Sequence, residues 1–192
     1  MNAPLVLFVG GTRSGKSALA QRWAEAQAAR RLFLATCRVD DGDAEMAERV
    51  ARHQAGRGAG WSCVEEPLDP LAALKRLPAE PAGDNGGAAG VLLLDCVSLW
   101  VANLLTDGFT AAGIQERVAG LAAALADRRR ALPTALVSAE TGLGIVPATP
   151  LGRMYRDVLG LANQTLAGVC SHVVFVSCGL PLALKGPLPE GL

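Results

Sequence analysis

Gly10-Gly-Thr-Arg-Ser-Gly15-Lys16-Ser17 is a glycine-rich run closed by Lys-Ser, and it follows the short apolar stretch Leu5-Val-Leu-Phe-Val9. Between a strand and a helix, the pattern G-x-x-x-x-G-K-[ST] cradles phosphates. Glycines let backbone N–H groups close on phosphate oxygens, and the helix that follows adds the positive end of its dipole. Lys16 is placed to reach the β- and γ-phosphates as the catalytic cation, and the Ser17 hydroxyl to ligate Mg²⁺. Each of Gly10, Gly11, Thr12, Arg13, Ser14, Gly15, Lys16 and Ser17 is thus a candidate nucleotide contact.

Other chemistry-bearing residues are less specific. Asp95 closes the apolar run Val91-Leu-Leu-Leu, where P-loop proteins keep a second carboxylate for the magnesium shell; capping the helix that starts near Ser98 is the alternative. Glu140 also follows a strand end, in Val137-Ser-Ala-Glu140, and open α/β sheets gather ligands there. That places Glu140 near the site without defining its role. His53 shares helical spacing with Met46, Val50 and Arg57. Imidazole is a capable nucleophile at neutral pH, but a lone His on such a stripe is more often a packing or surface residue than a catalyst. His172 begins an expected strand, shows no partner and reads as structural. The five cysteines, Cys37, Cys63, Cys96, Cys170 and Cys178, are scattered and form no C-x-x-C pair, so they suggest neither a disulfide framework nor a zinc site.

The elements that must position these residues alternate. Leu5–Val9 reads as a strand buried on both faces. An amphipathic helix follows from Lys16 to Arg30, with Leu19, Ala20 and Trp23 on one stripe. Further strands are expected at Arg31–Ala35, Trp61–Glu65, Val91–Asp95, Thr134–Ser138 and, as the last, His172–Ser177. Helices are expected through Glu45 to His53, from Asp69 or Pro70 to Leu77, Ser98 to Leu105, Ala111 to Arg130 and Pro150 to Val169. Pro78 through Gly90 is loop chemistry, but apolar content resumes at Val91, so it is an excursion within one domain spanning residues 1–192. Strand–helix alternation predicts a doubly wound, mostly parallel α/β sheet of the P-loop type with helices on both faces.

Composition narrows the function classes. The chain has 192 residues, 51% hydrophobic and 19% charged, the make-up of a domain with a sizeable core. Eighteen Lys+Arg balance eighteen Asp+Glu, and aromatics are 4%. A nucleic-acid surface lacks both its charge and its stacking rings. The N-terminal apolar run has no preceding Lys or Arg and is wrong for a signal peptide. Val91–Leu105 contains Asp95 and Asn103 and is too short and polar for a bilayer. A cytoplasmic protein without membrane insertion is the expectation.

The run of motifs resembles one family, the bifunctional adenosylcobinamide kinase/adenosylcobinamide-phosphate guanylyltransferases. The resemblance is carried in order by Gly10–Ser17, Leu34-Ala-Thr36, Glu45-Met-Ala-Glu-Arg-Val-Ala-Arg-His53, Trp61 with Glu65-Glu-Pro-Leu68, Leu93-Leu-Asp95 with Leu99-Trp and Asn103-Leu-Leu105, and Gly142-Leu-Gly-Ile-Val-Pro147. Arg156-Asp157, Asn163-Gln164 and Gly179-Leu-Pro181 extend it over nearly the whole chain. It implies one P-loop domain that phosphorylates the aminopropanol hydroxyl of adenosylcobinamide with ATP or GTP, using Mg²⁺. GMP then passes from GTP through a histidine to adenosylcobinamide phosphate. The family histidine falls on His53. Nucleotide contacts fall on the P-loop, Ala35, Thr36, Cys37, Gln54, Ala55, Gly56, Arg57, Glu65 and Asp95, and Ser17 and Asp95 are the implied metal positions. A homotrimer is also implied.

Two departures stand out: about two extra residues around Asp41-Gly42-Asp43, and Ala139 where the family usually has Asn. Two rival readings of the same residues are a single-activity small-molecule kinase, with His53 a bystander, and a nucleotide-dependent switch or ATPase acting on a protein partner. No N-K-x-D motif supports the switch, since Lys16, Lys75 and Lys185 are the only lysines.

Overall fold

The computed structural model describes residues 3–38, 48, 58–76, 90–128 and 132–192. Within them run strand β1 (Leu5–Gly10), helix α1 (Lys16–Gln27), β2 (Arg31–Ala35), β3 (Trp61–Glu65), α2 (Pro70–Arg76), β4 (Val91–Asp95), α3 (Val97–Thr106), α4 (Ala111–Arg128), β5 (Thr134–Ala139), α5 (Pro150–Val169), β6 (His172–Ser177) and β7 (Leu180–Lys185). The expected helix through Glu45 to His53 lies outside the described residues except for Glu48, which is helical. The loop from Pro78 lies outside them up to Gly90.

The strands form one sheet in the order β3-β2-β4-β5-β1-β6-β7. Every pairing from β3 to β6 is parallel, and β7 runs antiparallel to β6. Parallel neighbours need crossovers that cover the sheet, which is why β1 and β4 are continuous apolar runs. Alternate side chains serve opposite faces. Leu5, Leu7, Leu92, Leu94 and Leu136 join a core built with Leu74, Trp100, Val101, Ile114, Leu121, Leu159 and Leu166 from α2 to α5. Val6, Phe8, Leu93 and Val137 join Leu19, Ala20, Trp23 and Ala24 of α1 on the other face. Phe8 and Trp23 meet with ring centroids 6.3 Å apart. The sheet is thus wound on both sides as expected, although among the described residues α1 alone covers its face.

Two expectations are corrected. Helix α1 stops at Gln27 and not Arg30: Ala28 is extended at φ −156°, ψ 154°, because the chain must turn before Arg31 enters β2. Ala28, Ala29 and Arg30 are good helix formers, so nothing in their types marks the end. The last strand is β7 and not β6. Cys178 and Gly179, both at positive φ (53° and 78°), make the two-residue turn that returns the chain as a hairpin. Pro181 is tolerated because β7 is the sheet edge.

Candidate nucleotide-binding site

Gly10 ends β1, and the loop after it returns to begin α1 at Lys16. A Cβ on Gly10 would collide with the Val176 carbonyl oxygen of β6, so only glycine lets the loop leave the sheet there. Gly15 takes φ 93° as N-cap, and no side chain caps the helix. The first-turn N–H groups of α1 are therefore left for an anion. Around Gly11 a Cβ would meet nothing within 4 Å, so that stretch of backbone stands open. Lys16 Nζ donates to Gly11 O at 3.1 Å and so lies back across the loop. The loop is clamped from behind by the β6–β7 hairpin, whose Gly179 N–H donates to Ser14 O at 2.8 Å. Ser14 Oγ is buried there without a partner.

The strand register assembles the rest of the rim. Ala35 pairs with Glu65 on one side and Asp95 on the other, so these three residues lie in one row at the carboxyl ends of β3, β2 and β4. Asp95 pairs with Val137, and Ala139 two residues later pairs with Gly10. Only β5 separates the Asp95 strand from the P-loop strand, placing the two roughly 10 Å apart across the sheet. Asp95 shares the parity of Val91 and Leu93, which face α1, the helix that carries Lys16 and Ser17. A hydroxyl and a carboxylate are hard oxygen donors that fit Mg²⁺, an ion that keeps several waters and takes its remaining ligands from phosphate. Among the described residues no three His, Cys, Asp or Glu side chains cluster as a metal-holding group.

Thr36 directly follows the last residue of β2. It is fully buried; its hydroxyl donates to Cys96 O at 2.6 Å and accepts from Cys96 N–H at 3.0 Å. Its own N–H donates to Asp95 O, and its carbonyl accepts from Asn103 Nδ2 at 2.8 Å. Thr36 is thus a clamp behind Asp95. Asn103 also donates to Pro67 O at 3.0 Å, binding the exits of β2 and β3 to α3. Cys37 and Ala35 are partly exposed at the rim and Glu65 is exposed. Burial and the neighbouring Asp95 push the Cys96 thiol up to about 12, so it stays protonated. His53, Gln54, Ala55, Gly56 and Arg57 lie outside the described residues.

Glu140 sits against the P-loop, its N–H donating to Gly10 O at 3.1 Å. Its carboxylate accepts from Gly142 N–H at 2.5 Å and folds the turn. Behind it, Asn163 of α5 accepts from Ser138 Oγ at 2.6 Å and donates to Ala139 O at 3.0 Å, fixing the tip of β5. Sequence reasoning assigned no role to Asn103 or Asn163; the available signal was an amide set among the apolar positions of each helix. His172 does have a partner: its Nδ1 lies 2.9 Å from Ser171 Oγ, which also bonds the Leu5 backbone. That cluster is at the amino end of β6, away from the P-loop.

A glycine-rich loop at the carboxyl end of a central parallel strand, leading into an uncapped helix, defines a P-loop nucleotide-binding protein of the α/β class. Residues 6–184 match the family described as cobinamide kinase / cobinamide phosphate guanyltransferase. The chain belongs to this family. It is 42% identical over 182 residues to the bifunctional adenosylcobalamin biosynthesis protein CobP of Pseudomonas aeruginosa, covering 94% of this chain and 96% of that one. It is 34% identical over 198 residues to the protein of the same description, CobU, from Escherichia coli, covering 94% and 99%. Among solved structures, the P4 protein from bacteriophage phi6 in complex with ADP overlaps 93% of this chain and 52% of its own, at 14% identity and a TM-score of 0.44, which adds nothing to the family assignment. Among the described residues no helix is long and apolar enough to cross a membrane.

Proposed function

We propose that this chain phosphorylates adenosylcobinamide and then transfers GMP to the product, using one P-loop for both nucleotides. The observation that carries this is the family match over residues 6–184, and the Gly10–Ser17 loop, open at Gly11, followed by an uncapped α1 and facing Asp95 across one strand, supports the nucleotide-binding part of it. In the first step the acceptor hydroxyl oxygen bonds to the γ-phosphorus of ATP or GTP as the bond to the β–γ bridging oxygen breaks; the nucleoside diphosphate leaves and the hydroxyl proton passes to solvent. The work of the protein is positioning and charge neutralisation by Lys16 and the loop amides. Mg²⁺, held by Ser17, Asp95 and the phosphates, would add charge stabilisation there.

In the second step the neutral imidazole of His53 attacks the α-phosphorus of GTP and pyrophosphate leaves. A phosphate oxygen of adenosylcobinamide phosphate then takes the GMP, and the imidazole keeps the electron pair of the broken P–N bond. Ala35, Cys37, Glu65 and residues Gln54 to Arg57 contact the nucleotide, with Thr36 holding the row in place. The five free cysteines suit a reducing cytoplasm. Leu180, Leu182 and Leu184 are exposed on the edge strand β7, an apolar face that supports self-association, with a homotrimer as the assembly. The test is the mass of the corrinoid after incubation with ATP and Mg²⁺, and again after adding GTP. Gain of one phosphate, then of GMP, is the expected result; an unmodified corrinoid at the first stage would overturn the kinase assignment.

A further inference from the structure

Arg156 lies in the second turn of α5, and its Nη1 is buried without a hydrogen-bond partner. Arg31 Nε is also buried without a partner, but its other nitrogens donate to Ala59 O and Glu25 O near the amino end of β2, and three further arginines have partners. Arg38 pairs with Asp107 and Arg76 with Glu66, while Arg153 donates to Pro147 O and Ala148 O. A guanidinium N–H taken out of water with nothing to bond is costly, and an anion is the partner that removes the cost.

Its neighbours say where that anion would sit. Asn163, seven residues later, touches the last residues of β5. Seven residues are two turns, so Arg156 shares that helix face and stands about 10 Å further out along the axis, beyond the carboxyl rim. The adjacent Tyr155 donates to Ser98 O at 3.3 Å, and Ser98 is in the first turn of α3, just past Asp95. Arg156 is therefore placed beyond the carboxyl end of β5, on a helix that packs against the sheet face opposite α1, while Glu140 ties the exit of β5 to the start of the P-loop.

The proposed reactions create a phosphoryl group that the P-loop cannot keep. Once transferred, it belongs to the acceptor, while the loop must take up the phosphates of the next GTP. We propose that Arg156 is the binding residue for this phosphoryl group, held as the monoester of the phosphorylated acceptor or, in transit, as the γ-phosphate. The inference rests on the two-step activity proposed above. Guanidinium suits the task because it presents several N–H donors in a fork matched to phosphate oxygens. Arg156 itself is unchanged: an oxygen of the held monoester forms the new P–O bond as the P–N bond to His53 breaks.

The experiment compares Arg156→Met and Arg156→Lys with the wild type in both half-reactions, alongside GTP affinity and thermal unfolding. Arg156→Met is expected to raise KM for adenosylcobinamide phosphate in guanylyl transfer by roughly 10- to 100-fold, as loss of a charged hydrogen bond does. GTP affinity and protein labelling by GTP without acceptor should stay within about twofold, and Arg156→Lys should recover part of the loss. A fall of about 100-fold in kinase kcat with that KM unchanged would assign the group as the γ-phosphate in transit. Both half-reactions within twofold of wild type would overturn the proposal. So would equal losses in both that track reduced GTP affinity and a lower Tm, which mark a structural residue. If Arg156→Met does not fold, Arg156→Gln is read in the same way. A wild type that leaves adenosylcobinamide unphosphorylated would instead sink the functional reading.

Discussion

Replacing Thr36 with Val separates a clamp from a ligand contact. The change is nearly isosteric, so it opens no cavity and removes only the hydroxyl. In the folded protein that hydroxyl accepts from Cys96 N–H and donates to Cys96 O. The carbonyl keeps a second donor, Trp100 N–H at 3.2 Å, whereas the Cys96 N–H is left with no partner in a buried place. An orphaned buried donor costs about 1–3 kcal/mol, and the lost second bond to the carbonyl about 0.5–1 kcal/mol more. A total near 2–3 kcal/mol lowers Tm by about 5–10 °C in a chain of this size. Thr36→Ser keeps both bonds and loses one methyl, for about 1 kcal/mol. Thermal unfolding of the three proteins reads the difference, and GTP titration at 20 °C, where all are folded, should show similar affinity throughout. Thr36→Val with Tm within 2 °C of wild type but a tenfold loss of GTP affinity would instead mean that the hydroxyl serves the ligand and not the clamp.

Lys16→Ala should cost roughly 10²- to 10³-fold in phosphorylation of adenosylcobinamide, since phosphate charge goes uncompensated where water is excluded; near-normal turnover would sink the P-loop assignment. Asp95→Asn keeps size but not charge and should lower both activities while raising the Mg²⁺ concentration needed for half-maximal rate; an unchanged titration would reduce Asp95 to a cap. Alkylation at pH 8 followed by peptide mass mapping should label the exposed Cys63 and Cys178 quickly and Cys96 only on unfolding. Because the folded Cys96 holds its proton to about 12 against a usual value of 9.0, the unfolded chain loses protons first, and stability should fall as pH rises above 9.

Much of the fold is readable in the chain because buried parallel strands are continuous apolar runs with few competitors. Arg31–Ala35, Val91–Asp95 and His172–Ser177 fall where that signal puts them, whereas Trp61–Glu65 is an edge strand without a buried residue; Pro150 to Val169 is bounded by Thr149, whose hydroxyl accepts from Gly152 N–H, and by Cys170. What the pattern cannot carry is whatever depends on neighbours distant in sequence. Strand order makes β5 the spacer between Asp95 and the P-loop, and no local period states it. Strand β7 escapes because its leucines face outward and its Pro181 argues against a strand unless the edge position is already known. Thr36 sits in a motif that names it as a ligand contact, yet its hydroxyl is spent on a residue 60 positions away. The P-loop is legible for the opposite reason: its glycines, Lys16 and Ser17 are contiguous, so spacing alone holds the geometry.

Whether one P-loop serves two chemistries with His53 as the carrier of GMP is read out by incubating the protein with α-labelled GTP and Mg²⁺ without corrinoid. Label should become bound to the protein through a P–N bond, lost in acid and kept in base, and should move to adenosylcobinamide phosphate when that is added. His53→Ala should abolish both the label and the transfer while leaving phosphorylation of adenosylcobinamide largely intact, and His172→Ala should do neither. Loss of both activities together in a folded His53→Ala protein that still binds GTP, or a label stable in acid and lost in base, would contradict the account.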